Sequence, residues 1–239
     1  MPETISIVLP VKNAESTLER AVKSVLNQTY TDFKLLIVLN GCDKPKSFYD
    51  SLLSKFNDDR IIILESKPGL VNALNRGIWF ADRIDGKYIA RQDADDLWYP
   101  DKLQHQIDFL KNNTHVSILG TQMQLVDKHF NSLNQQTSYP LEMFDIVQEF
   151  AKGHNALGHS SVIFTKDVIQ RTGGYDDTFF MCEDYHLWMR AIKWFVLANL
   201  PDVLVDYTFV QNQNYDARVP MILSKAMVLI HNNLYNIGK

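Results

Sequence analysis

The sequence predicts an α/β protein built on a mostly parallel central sheet with helices on both faces. Short, β-branched, apolar runs alternate through roughly the first hundred residues with segments whose apolar residues recur at helical spacing. The runs are apolar throughout rather than at every second position, as expected of strands covered on both faces. The chain has 239 residues, 46% of them apolar, enough for a large core without disulfides or a structural metal.

Ile5-Ser6-Ile7-Val8-Leu9 reads as the first strand, ended by Pro10. Leu18, Ala21, Val22, Val25 and Leu26 then mark a helix, with Asn13 as its N-cap. Leu35 to Leu39 forms the second strand, 45–56 a polar-capped stretch, and Ile61 to Leu64 the third strand. Leu70, Ala73, Leu74, Ile78 and Ala81 mark another helix, and Lys87 to Ala90 the fourth strand. Ligands of such sheets bind outside the carboxyl ends of the strands. The segments 10–15, 40–43, 65–69 and 91–98 are therefore where a site is expected.

Beyond residue 100 the rhythm changes. A helix starting at Pro100 carries Leu103, Ile107 and Leu110; Val116 to Val126 reads as a strand, and 128–140 as a polar connection. His159 to Phe164 is a candidate strand, and 184–194 a helix with Leu187, Trp188, Ala191 and Ile192 inward. Val203 to Phe209 reads as a short strand and 219–236 as an apolar helix, either a docking or homodimer face or a membrane-surface helix. No repeat or linker interrupts the chain. The expectation is one domain over 1–239: a nucleotide-type half (1–98), a mixed half that completes the site (99–210) and a tail helix (211–239).

Twenty-four Lys and Arg against 28 Asp and Glu leave a net charge of −4, which argues against a nucleic-acid surface. Cys42 and Cys182 form no CxxC or zinc spacing. The first residues lack a signal peptide's basic and apolar regions, and no apolar run approaches the ~20 residues of a membrane span. A cytoplasmic protein is expected, with peripheral contact at the inner membrane face as the alternative. The glycosylation sequons at Asn27 and Asn112 then carry no weight.

The first post-strand loop, Pro10 to Glu15, contains no glycine. That excludes the dinucleotide fingerprint and the Walker A loop, and disfavours a sugar nucleotidyltransferase. The fourth, Arg91-Gln92-Asp93-Ala94-Asp95-Asp96-Leu97-Trp98, sets three carboxylates within four residues after a buried strand. They form either a solvated turn in which Asp95 or Asp96 caps the next helix, or a site for a hard divalent cation that also meets a diphosphate. Glu183 and Asp184 at a helix start likewise have two readings: complements to the helix dipole, or a general base facing the Asp93–Asp96 turn. His159-Ser160-Ser161 is no nucleophilic pair, because adjacent strand side chains point to opposite faces. His154 and His159 read as structural or substrate-lining.

Five blocks of this chain resemble the inverting GT-A glycosyltransferases of family 2, the bacterial cell-surface polysaccharide type. They are Ile7 to Glu15, Ser24 to Tyr30, Gly69 to Ile78, Tyr88 to Asp96, and Gly173 to Asp176 followed by Glu183 to Arg190. The resemblance runs over about residues 4–210 and implies the GT-A fold. It makes Asp93-Ala94-Asp95 the DxD motif, with Asp95 the ligand of Mn²⁺ or Mg²⁺ and Asp93 on the donor ribose or the metal. It makes Asp184 the catalytic base, puts the Pro10 and Val11 backbone against the nucleotide, Asn40 where the base is read, and Arg76 and Arg91 near the nucleotide pocket.

The implied partners are a nucleotide-sugar donor, UDP-linked before other bases, and a glycan or glycolipid acceptor. Such chemistry needs a cation against the charge of the leaving diphosphate and a carboxylate to deprotonate the acceptor hydroxyl; it needs no protein nucleophile. Leu39-Asn40-Gly41-Cys42 departs from the family's usual Asp-Asp-Gly-Ser, and an amide donates as well as accepts. Lys12 replaces a frequent tyrosine, and Thr208-Phe209-Val210-Gln211 supplies neither the Arg nor the His often found there. The rival reading is a binding module on the same fold that holds a nucleotide sugar or glycan without turnover.

Overall fold

The computed structural model describes residues 3–179 and 181–209. The expected tail helix at 219–236 lies outside the described residues, as do Val210, Gln211 and the rest of the segment that follows. The chain opens with β1 (Ile5–Val11), α1 (Leu18–Leu26), β2 (Phe33–Asn40), α2 (Lys46–Ser54), β3 (Ile61–Ser66), α3 (Leu70–Ala81) and β4 (Tyr88–Arg91). Then come β5 (Leu97–Trp98), α4 (Lys102–Asn112), β6 (Val116–Val126), β7 (Ser132–Gln136) and α5 (Met143–Ala151). After these follow β8 (Ile163–Thr165), α6 (Lys166–Thr172), α7 (Glu183–Ala191) and β9 (Val196–Thr208).

One sheet runs in the order β3-β2-β1-β4-β8-β6-β9-β5, with β7 paired to β6. Its first four strands are parallel, as the apolar runs predict, and β6 pairs with β9 in parallel too. The antiparallel pairs, β4 with β8, β8 with β6, β9 with β5 and β7 with β6, each include a strand from beyond residue 98. Alternation along β1 builds a core on each face. Ile5, Ile7, Leu9 and Val11 pack with Leu18, Val22 and Val25 of α1 on one side. Val8 packs with Leu74 and Ile78 of α3, and with the layer of Trp188 and Phe164, on the other.

α3 lies so close to the sheet that only glycine fits at position 77. A Cβ there would overlap Val8 Cγ1 and stand 3.3 Å from Val38 Cγ2. We expect Gly77→Ala to destabilise the protein by about 1–3 kcal/mol, the usual cost of overpacking, read as a lower urea midpoint at unchanged slope.

Several local expectations are corrected. Pro10 does not end β1, which continues to Val11. Val8 O accepts from Gln92 N on the β4 side, and Pro10, two residues on, faces the same side beyond the end of β4, so its missing N–H removes no ladder bond. Asn13 is not the cap of α1: it sits at positive φ, and its side chain is hydrogen-bonded to Asp43, tying the first post-strand loop to the second. The polar connection at 128–140 contains β7, and 142–172 contains two helices, α5 and α6, that were not expected. His159–Ser161 is a 3₁₀ turn, and the strand after it is only Ile163–Thr165. Among the described residues no helix is long and apolar enough to cross a membrane.

Candidate active site

β4 and the turn after it carry the first bank of carboxylates. Gln92, fully buried, donates its Nε2 to Asp96 O at 2.8 Å and draws the turn closed. Asp96 is 1% exposed; its Oδ2 accepts from Ser160 Oγ at 2.5 Å and its Oδ1 from Thr208 N at 2.8 Å. Burial and the neighbouring charges of Asp93 and Asp95 push its carboxyl well above the ordinary range. Asp96 is therefore the structural member of the three. Neither it nor Asp95 caps the following helix, since Asp101 occupies the N-cap of α4.

Asp93 is partly exposed and forms an ion pair with the Arg91 guanidinium, itself 3% exposed. Burial opposes the charge on Arg91, but Asp93 and Asp96 more than offset it and hold the guanidinium protonated. Asp95 faces solvent, and its backbone carbonyl accepts from Thr208 Oγ1 at 2.5 Å. The surrounding protein wall and the charge of Asp93 lift its carboxyl to about 6.

The second bank stands at the start of α7. Asp184 Oδ1 accepts from Tyr185 N at 2.7 Å, which satisfies one of the free N–H groups of the first turn. Its Oδ2 accepts from Asn155 Nδ2, also at 2.7 Å. Desolvation nonetheless outweighs these bonds and raises its carboxyl. Glu183 is 5% exposed, lifted to about 7 by burial and by Asp184, and its Oε2 has no partner among the described residues. Cys182 is the N-cap of α7, and Asp184 inside the first turn combines a bond to Tyr185 N with a chemically available carboxylate.

Arg91, Asp93, Asp95 and Asp184 line one cavity of about 650 Å³, together with His159, Cys182, Glu183 and, on its apolar side, Met123, Leu125 and Tyr139. His159–Ser161 is a 3₁₀ turn and not a strand, and its side chains are engaged elsewhere than in a Ser–His pair. Ser160 is a buried donor to Asp96, Ser161 donates to Gly158 O, and His159 Nε2 lies 2.9 Å from Tyr175 Oη. His154 stands apart, paired with Glu149. Both cysteines are free, and Cys182 packs as a small apolar residue.

The other expected site residues do not line this cavity. Pro10 and Val11 are buried at the carboxyl end of β1. Asn40 is 4% exposed, and its Oδ1 accepts from Gly69 N at 2.5 Å, so its carbonyl holds the positive-φ turn before α3. Arg76 is exposed and lies with Glu65, Lys67 and Asn72 around a separate depression. Asn155 was not singled out by sequence reasoning; its loop has no pattern, and only the fold brings it to Asp184, 29 residues away.

Among the described residues no three His, Cys, Asp or Glu side chains form a metal cage made of protein alone. The carboxylates do fit a hard cation of the other kind, held by one or two carboxylates and completed by phosphate and water oxygens. Asp95 is exposed to supply one ligand and Asp93 lies beside it, while Asp96 has both oxygens engaged.

The family model described as Glycosyl transferase family 2 matches residues 6–172. The amylovoran biosynthesis glycosyltransferase AmsE of Erwinia amylovora is 30% identical over 204 residues, covering 84% of this chain and 74% of AmsE. Two solved structures share the fold. TarS of S. aureus, in complex with UDP-GlcNAc, superposes with a TM-score of 0.70 at 16% identity, over 96% of this chain and 65% of that one. The mannosyltransferase PcManGT of Pyrobaculum calidifontis, in complex with GDP-Man and Mn²⁺, gives 0.69 at 17% identity, over 100% of this chain and 65% of that one. The chain thus spans just under two thirds of either solved chain.

Proposed function

Because the chain belongs to glycosyl transferase family 2, we propose that it moves a sugar from a nucleoside-diphosphate donor, with inversion, to a hydroxyl of a glycan or glycolipid in polysaccharide biosynthesis. The observation that carries this reading is the meeting in one cavity of the Asp93–Asp95 turn and the Asp184 helix start, which lie far apart in the chain. The relatives support it: one is named for polysaccharide biosynthesis, and two neighbours hold nucleotide sugars, one with Mn²⁺.

Asp95, with Asp93 beside it, would hold Mn²⁺ or Mg²⁺. When bound, that ion stabilises the negative charge that develops on the leaving diphosphate. Arg91, buried beneath the turn, orients Asp93 and supplies a fixed positive charge under the cavity. Asp184 takes the proton of the acceptor hydroxyl as that oxygen attacks the anomeric carbon; its hydrogen bonds from Tyr185 N and Asn155 Nδ2 fix its orientation. One displacement on the face opposite the leaving group inverts the anomeric centre.

Residues 1–98 serve the donor and 99–210 the acceptor and the base, within one domain. Pro10, Val11, Asn40 and Arg76 take the nucleoside, at the carboxyl edge of β1, β2 and β3. The donor base is uridine first and guanosine second.

A donor screen tests this. UDP-, GDP- and TDP-sugars with Mn²⁺ are compared for thermal stabilisation and for release of nucleoside diphosphate. One donor at a hundredfold its Kd is expected to add about 2.7 kcal/mol, or roughly 5–10 °C for a chain of this size. Release should stop in excess chelator. Stabilisation with no turnover under any acceptor would establish the binding module instead.

A further inference from the structure

The cavity at Asp184 has a neighbour across Asn155. A second cavity of about 600 Å³ opens beyond it, and Thr137, Tyr139 and Asn155 line both. Asn155 is also the residue that holds Asp184 Oδ2, so the two spaces meet beside that carboxylate. The rest of the second wall includes Ser138 and the outward side of α5, with Asp145, Gln148 and Glu149. These positions turn outward because Ile146 and Phe150 are buried. Hydroxyl, amide and carboxylate groups of this kind bond pairs of sugar hydroxyls, and the ring of Tyr139, shared by both cavities, offers an apolar face.

Two buried amides build these walls. Gln122 Oε1 accepts from Tyr139 N at 2.8 Å and from Thr137 Oγ1 at 3.0 Å, while its Nε2 donates to Tyr139 O at 3.0 Å. Asn199, 3% exposed, donates to Pro140 O at 2.7 Å and to Ala156 O at 2.9 Å, and so fixes both sides of the opening. Buried amides are unfavourable unless bonded, and here the cavity walls supply the partners of the Gln122 amide and of Asn199 Nδ2. Tyr185, next to Asp184, donates its hydroxyl to Phe150 O at 2.6 Å. The helix that carries Asp184 and the helix that lines the second cavity are thereby joined.

We propose that this second cavity is an acceptor subsite for the sugar adjoining the one that is glycosylated, which makes the acceptor an uncharged oligosaccharide or glycoconjugate of at least two sugars. This rests on Asp184 as the acceptor-side base. The terminal sugar occupies the space at Asp184, and its neighbour passes Tyr139 into the second cavity. An acidic sugar there would meet Asp145 and Glu149; Lys152 and His154 both pair with Glu149, at 2.7 and 2.8 Å, which leaves Asp145 as the carboxylate in no ion pair among the described residues.

The intact chain is tested by ligand-observed NMR against uncharged and acidic mono-, di- and trisaccharides that share terminal sugars, with donor turnover measured in parallel. Uncharged disaccharides should bind about tenfold more tightly than their terminal monosaccharides, the worth of one or two net hydrogen bonds. Gln148→Trp, at an exposed position that lines the cavity, should abolish that preference at unchanged melting temperature. Asp145→Arg should shift binding toward acidic glycans. Equal binding of all lengths, tightest binding of acidic glycans by the wild type, a preference that survives Gln148→Trp, or no binding at all would each overturn the subsite. Donor turnover reports on the transferase reading separately. Length-dependent binding without turnover upholds the glycan site and refutes transfer, and turnover without length dependence does the reverse.

Discussion

Asp184→Asn is expected to fold, to bind the donor normally and to lose about 10²–10⁴ of the transfer rate, the usual effect of removing a general base. The hydrogen bonds make the substitution a clean one. Asp184 Oδ1 accepts from Tyr185 N and Oδ2 from Asn155 Nδ2. An asparagine keeps the first bond, and Asn155, which is exposed, can turn its own carbonyl to meet the new amide, giving up the long 3.3 Å bond that its Oδ1 accepts from Leu157 N. Cys182, not residue 184, is the N-cap of α7, so the variant gives up only the negative charge in the first turn, about 0.3–1 kcal/mol. What the variant lacks is an oxygen able to take a proton. Asp184→Ala removes the acceptor for Tyr185 N as well, so it should lower both the rate and the melting temperature. The check is turnover beside melting temperature for both variants. A fully active Asn variant beside a destabilised Ala variant would show that residue 184 only serves the helix.

Asp95→Ala should abolish cation-dependent donor binding and lower transfer by at least about 10²-fold, as loss of one charge-stabilising partner commonly does. The fold should survive, because residue 95 is exposed and is tied to the rest by its backbone carbonyl. Asp96→Ala supplies the contrast. It strands Ser160 Oγ and Thr208 N, and the unmet buried groups should cost about 1–3 kcal/mol of stability. Titrating Mn²⁺ against each variant with a fixed nucleoside diphosphate, by calorimetry, separates the two. Unchanged cation-dependent affinity in Asp95→Ala would remove that residue from the metal site.

The parallel half of the sheet was legible because each strand is apolar on both faces and each helix carries its own stripe; Ile5 to Leu9 and Leu70 to Ala81 needed no partner to be recognised. The second half was less so. β7, Ser132–Gln136, is exposed along its whole length and is a strand only because Gln124 and Leu125 of β6 pair with it. β9 runs through Pro201 and Asp202 with register shifts against β6, where the local sequence shows only its last part. α5 buries just Ile146 and Phe150, and α6 just Val168 and Ile169, stripes too narrow to stand out. At the site, the places of the carboxylate-bearing segments, after a strand and at a helix start, were legible, whereas the bonds that Asn40 and Asn155 make were not, because each takes its partner from another segment.

The sequence by itself determined the order of the elements in the first half, the strand end that presents Asp93 to Asp96 and the helix start that presents Asp184, because period and local propensity are properties of neighbouring residues. Only the tertiary structure decided where each carboxylate stands. Asp95 and Asp96 are adjacent in the chain and chemically identical, yet one faces the cavity and the other is sealed beneath it. The difference comes from Ser160 and Thr208, 64 and 112 residues away from Asp96, whose hydrogen bonds draw that carboxylate out of water. No local pattern encodes such partners; they act only once the sheet has brought β4, the 159–161 turn and the end of β9 side by side.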